Sequence, residues 1–173
     1  MKYPVVISLL CVLLQANICF AQNTRCWETV QEVEALTRED YIKDKDCFKK
    51  TLRWLCTTPL GEDVKLRSYA NAYVMEWIAG TPLFTLELET KYLSFIDEHP
   101  ELLYSFIHGM ASYKLEHVDE KNKVKLYSEG FKVVANLASQ SKELSKSSAL
   151  KPLLKAARKK TIREYTQTVL AQN

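Results

Sequence analysis

The chain has 173 residues, 47% hydrophobic and 26% charged, with 4 Gly and 5 Pro, which excludes disordered, collagen-like and low-complexity classes. So few turn residues cannot serve a β-sandwich or barrel, nor a glycine-rich phosphate loop, and a mostly helical chain without a nucleotide fold is expected. A net charge of +3 is too small to argue for nucleic acid as a partner.

Met1 and Lys2 precede a run from Val5 to Leu14 that is apolar apart from Ser8, and the stretch closes on Cys19-Phe20-Ala21 before Gln22. A basic start, an apolar stretch of this length and small residues before Gln22 read as a cleaved secretory signal over residues 1–21. The run is too short for a membrane span, so the mature chain is expected to lack one; an uncleaved anchor and a lipoprotein are the rival readings. The mature protein, residues 22–173, is then expected to be a single helical domain, secreted or periplasmic. Within it, residues 22–141 hold 15 basic and 19 acidic side chains, a net −4. Residues 142–173 hold 8 basic and 2 acidic, a net +6.

Trp27, Val30, Val33 and Leu36 recur at helical spacing behind Thr24, a suitable N-cap, and predict a first helix. A turn near Tyr41 is expected to lead into a second helix from Asp46 to Cys56, with Phe48, Leu52 and Leu55 buried and Thr58-Pro59 as its stop. A third, Glu62 to Ala79, is apolar nearly all round from Ala70 onward, which predicts a central position. Glu76, set among Tyr73, Trp77 and Ile78, is the candidate for a carboxylate perturbed by burial; exposure or pairing with Arg53 or Arg67 is the alternative.

After Gly80-Thr81-Pro82, Phe84, Leu86 and Leu88 alternate with polar residues, the pattern of an extended segment around 83–88. Such a segment either lies across helices or offers an edge to a partner. A short helix from Thr90 to Asp97 and a long one opened by Pro100 follow. Leu103, Phe106, Ile107, Met110 and Ala111 line the long helix, and beyond a turn near Val118-Asp119 the next buries Val124, Tyr127, Phe131, Val134 and Ala138. These two form an antiparallel hairpin. Gly109 and Gly130 fall nearly level within it, which predicts either close approach of the two backbones or room left for another side chain. The hairpin resembles tetratricopeptide-type repeats in Gly109 and Tyr113, but these stand four apart rather than three and no 34-residue self-similarity accompanies them. No family follows.

Residues 139–148 read as a connection. Basic helices begin near 149, with Leu150, Leu153, Leu154 and Ala157 on one stripe and a break near Lys160, after which Thr161 and Glu164 form a capping box for the last helix. The fold class expected is all-α, about six to eight helices in antiparallel hairpins.

Cys26, Cys47 and Cys56 would be the mature cysteines. Cys47 and Cys56, nine residues apart on one helix, are separated by about 13 Å along its axis, too far for a bridge. A hairpin turning near Tyr41 would bring Cys26 and Cys56 level, predicting a Cys26–Cys56 disulfide with Cys47 a buried thiol; three separate thiols are the alternative. There is no Cys-x-x-Cys.

His99, His108 and His117 are spaced too far apart to share one metal. Glu116, His117, Asp119 and Glu120 read as a solvated turn, and Glu101, Ser105, His108 and Ser112 as a polar stripe that one straight helix cannot make into a hydrolytic triad. No catalytic residue, cofactor or metal is called for. Trp27, Trp54, Trp77, Tyr73 and Tyr127 are expected in the core. Lys151, Lys155, Arg158, Lys159, Lys160 and Arg163 concentrate positive charge for an anionic surface, an acidic partner or the acidic body of the same molecule. The expected function is a non-enzymatic protein- or peptide-binding module acting through a helical face or the Phe84–Leu88 segment. The alternative is a carrier or sensor of a small apolar or anionic ligand held between the central helices.

Overall fold

Thr37 starts the first helix of the computed structural model, which describes residues 37–172. Its hydroxyl accepts from the Asp40 N–H while the Asp40 carboxylate accepts from the Thr37 N–H at 2.9 Å, a reciprocal cap that satisfies two otherwise orphaned donors. Helix α1 (Arg38–Thr57) therefore begins eight residues before the expected Asp46, and Tyr41 lies inside it, buried, rather than in a turn. The helix expected from Trp27 to Leu36 lies outside the described residues.

Helices α2 (Val64–Gly80), α3 (Leu102–Glu116), α4 (Lys123–Gln140), α5 (Lys151–Arg158) and α6 (Ile162–Ala171) complete an all-α fold, with short 3-10 turns at Thr90–Tyr92 and Leu144–Lys146. There is no strand among the described residues. The expected helix from Thr90 to Asp97 shrinks to that 3-10 turn and further turns, and α3 starts two residues beyond Pro100.

The antiparallel hairpin α3–α4 is the most extensively packed pair and the hub for the rest. Phe106 meets Tyr127 and Phe131 edge to face at 5.2 and 5.0 Å, the favoured geometry for ring quadrupoles. On one side of the hairpin, α5 and α6 add Leu153, Leu154 and partly buried Tyr165 to this cluster. On the other, α1 and α2 form a second cluster around Trp77, which stacks on Phe48 with ring centroids 3.7 Å apart. Leu86 of the extended segment packs against both clusters. That segment is a strap across the helices: Phe84 is buried, Thr85 and Glu87 are exposed, and the Glu89 N–H donates to the Tyr127 hydroxyl at 2.7 Å.

The two glycines of the hairpin meet. A methyl at Gly109 would sit 2.5 Å from the Glu129 carbonyl oxygen and 2.9 Å from the Gly130 Cα, and one at Gly130 would strike the Phe106 ring and carbonyl. Backbone approach is why Gly109 lacks a Cβ, and at Gly130 both expected reasons apply, since the absent Cβ leaves room for the Phe106 ring as well as for its carbonyl.

Three sequence expectations are corrected. Helix α2 packs on α1 and only lightly on α3, so it stands at the edge of the fold rather than its centre. Val64 and Tyr69 face solvent from it, 64% and 57% exposed. The last helix does begin after a break, with Lys160 in the left-handed region at φ 59°. However, the Thr161 hydroxyl turns back to the Ala156 carbonyl and makes no capping bond, so no capping box forms. The Cys26–Cys56 bridge is also corrected: Cys56 is a free thiol, pushed up to about 12 by burial, and Cys47 is the residue in a disulfide. Because α1 runs straight through Tyr41, the turn expected there, which would have made Cys26 level with Cys56, is absent; Cys26 itself lies outside the described residues.

Replacing Gly109 with Ala is expected to lower stability by roughly 2 kcal/mol, because overpacking against backbone outweighs the gain in helix propensity. Denaturant unfolding checks it, and an unchanged or raised midpoint would contradict the backbone contact. In non-reducing peptide mapping Cys56 should alkylate only after unfolding and Cys47 should stay in a bridged peptide. Recovery of Cys56 in a bridge would be the contrary result.

Candidate functional site

Helix α1 ends at Thr58-Pro59 without a glycine, so its last carbonyls need donors from elsewhere. Arg67, one turn into α2 and only 8% exposed, supplies them. Its Nη1 donates to the Leu55 carbonyl at 3.2 Å and its Nη2 to the Thr58 and Pro59 carbonyls at 2.5 and 3.3 Å. The half-buried Trp54 ring lies beneath the guanidinium, 5.4 Å from Cζ to centroid. Burial lowers the Arg67 pKa, yet a guanidinium remains charged at neutral pH. Its Nε–H is buried and has no partner.

That arrangement positions one wall of a cleft of about 490 Å³ between α2 and α3. Leu60, Val64, Ala72 and Met75 supply its apolar surface, and Tyr104 and Ser105 of α3 form the facing wall. Asn71 stands one helical turn beyond Arg67, about 6 Å along the axis, so both face the same cleft. The Asn71 side-chain oxygen is buried without a partner. A buried donor and a buried acceptor, unpaired and one turn apart, are costly to leave so. Tyr104 is 45% exposed at the mouth.

Tyr104 stacks on His108 behind this wall, with centroids 6.5 Å apart. His108 is 1% exposed and neither ring nitrogen has a partner. Burial, helped by the nearby Arg67 charge, lowers its pKa to about 3, so the imidazole is neutral at physiological pH. The polar stripe expected along Glu101, Ser105, His108 and Ser112 is thus split, with Ser105 and His108 buried and Glu101 and Ser112 exposed. His108 does not hydrogen-bond Ser105, so it activates no hydroxyl there.

Glu76, the candidate perturbed carboxylate, faces solvent on the outer side of α2. The perturbed acid is Asp44 of α1, raised by burial and hydrogen-bonded by the Tyr73 hydroxyl at 2.5 Å. The histidines are dispersed as their spacing implies: His99 bonds Ser147 at 2.8 Å and His117 lies against Tyr113. Glu116 and Glu120 are taken by Lys49 and Lys125, each at 2.6 Å. Among the described residues, no group of three or more His, Cys, Asp or Glu side chains is placed to hold a metal.

Lys151, Lys155, Arg158, Lys159, Lys160 and Arg163 are all exposed around the α5–α6 corner. None of them forms an ion pair among the described residues, whereas Lys49, Lys91, Lys123, Lys125 and Lys132 do. The corner itself is firmly seated. Thr166 is fully buried and the Ser128 hydroxyl of α4 donates to it at 3.0 Å, while Tyr165 meets the Phe131 ring at 5.2 Å. No helix among the described residues is long and apolar enough to cross a membrane.

No protein-family model, curated protein or solved structure matches this chain.

His108 sets a pH dependence whose sign follows from linkage. Its folded pKa lies below the unfolded 6.5, so its contribution is intact above pH 6.5 and is lost as pH falls, because the unfolded chain takes up a proton the folded one refuses. Between pH 7 and pH 5 this amounts to about 2 kcal/mol. A His108→Leu variant is expected to lose that share of the acid sensitivity in unfolding melts; parallel pH profiles for the variant and the parent would contradict it.

Proposed function

We propose that this chain is a non-enzymatic binding protein, a carrier or sensor that takes a small, mostly apolar ligand into the α2–α3 cleft. The observation that carries this reading is the pair of buried, unpartnered groups on the cleft, the Arg67 Nε–H and the Asn71 side-chain oxygen. A ligand with an acceptor beside a donor, such as a primary amide or an alcohol, answers both at once, while its apolar part covers Val64, Ala72 and Met75. The cleft volume of about 490 Å³ falls in the range of small-molecule sites. Arg67 is held by three carbonyls of the preceding helix end, and such preorganisation lowers the cost of binding.

Val64, Tyr69 and Tyr104, exposed at or beside the cleft, favour a second reading in which the occupant is a side chain of a protein or peptide partner. The signal-like first 21 residues support a secreted or periplasmic setting for either reading. A neutral His108 with no activated hydroxyl beside it supports binding rather than catalysis.

Phenylacetamide, which offers an aromatic ring with a neighbouring donor and acceptor, is a suitable probe. Titrated into isotopically labelled protein, it is expected to shift the backbone amide resonances of Arg67, Asn71 and Tyr104. Asn71→Leu should weaken binding roughly fivefold through the lost hydrogen bond, and Met75→Trp should block it. Absence of shifts at the cleft, or equal binding by Met75→Trp, would overturn the reading.

A further inference from the structure

A second pocket, of about 490 Å³, lies between α4, the Leu144–Lys146 turn, α5 and α6. It shares no residue with the α2–α3 cleft. Its floor is apolar: Ala135 and Leu154 are buried, and Ala157 and Ile162 are partly covered. Two cations stand on its walls, Lys132 from α4 and Arg158 from the end of α5. Lys132 is shared with Glu129, three residues earlier, at 2.6 Å. Arg158 is exposed and forms no ion pair among the described residues, and no carboxylate lines the pocket. Lys155, Lys159 and Lys160 surround Arg158 in sequence, all of them exposed, so the cations around the mouth outnumber Glu129, the carboxylate that pairs with Lys132.

We infer that this pocket binds an anionic amphiphile of the alkyl-carboxylate class, its head on Arg158 and Lys132 and its chain on Ala135, Leu154, Ala157 and Ile162. Each half of the pocket selects one half of the ligand. The guanidinium fork pairs with a carboxylate through two parallel hydrogen bonds, the strongest contact open to an exposed arginine. The apolar floor rewards a chain and gives nothing to a bare inorganic anion. A neutral chain alcohol, conversely, leaves Arg158 as it is in the free protein. Because α6 is joined to α4 through Ser128 and Thr166, the apolar floor contributed by Ala135 and Ile162 is in place before any ligand arrives.

Decanoate below its micelle concentration, titrated calorimetrically into the protein, tests this. One site per chain is expected, with affinity falling as salt is raised. Arg158→Gln, an exposed substitution that leaves the core intact, should weaken binding roughly tenfold, and decanol should bind roughly tenfold more weakly than decanoate. Asn71→Leu should leave decanoate binding unchanged, which keeps this site distinct from the α2–α3 cleft. Equal affinity for decanol and decanoate, or no effect of Arg158→Gln, would overturn the assignment. So would loss of binding in Asn71→Leu, or adsorption to phosphatidylglycerol vesicles with no binding of monomeric decanoate.

Discussion

Gly109 and Gly130 bring two helices into backbone contact, and the remainder of the molecule is arranged around that contact. With no Cβ on either, the hairpin α3–α4 closes until a methyl at one glycine would overlap the other's main chain. At that spacing Phe106 reaches both Tyr127 and Phe131. Tyr127 in turn fastens the strap at Glu89 and Phe131 receives Tyr165 from the last helix. A wider hairpin would separate these rings and loosen both the strap and the C-terminal helix. Two residues that are poor helix formers are thus central because of what they lack.

The part of the fold governed by apolar spacing is legible in the sequence. Val134, Phe131 and Tyr127 are buried as their periodicity implies, the glycines meet, the strap alternates at Phe84 and Leu86, and the chain breaks at Lys160. What was not legible depends on side chains that satisfy backbone groups. Thr37 with Asp40 starts α1 early because an aspartate does the reciprocal work more often given to Glu or Gln, and Cys56 stays free while Cys47 takes the bridge. In α6 the residues of a capping box are present, yet Thr161 donates backward instead. Sequence spacing names who is able to form a local hydrogen bond; competing acceptors decide whether it forms.

The cleft was also invisible in one dimension, and for a related reason. Arg67 reads as one more surface cation on an amphipathic stretch, but a helix that ends on Thr-Pro without glycine leaves carbonyls that a long cationic side chain can cap. The missing C-terminal glycine is the signal available in the sequence. Once drawn inward, Arg67 gives a polar anchor to α2, a helix whose second half is mostly apolar. The helix sits at the edge of the fold, and its unfilled surface becomes the cleft. The sequence neighbours of Glu76 are aromatic, yet Tyr73 and Trp77 point inward while Glu76 points out. Adjacency along a helix is not adjacency in space.

The seating of α6 has an electrical meaning as well as a mechanical one. Ser128 and Thr166 share a buried hydrogen bond beneath the corner that carries six exposed cations, so those charges are mounted on the body and do not trail from it. A flexible basic tail would average its field over many directions. A mounted one gives the molecule a permanent moment, positive at the α5–α6 corner, and any external field exerts a torque on the whole body. As the protein drifts toward a negative surface it is turned before it touches, and the corner arrives first.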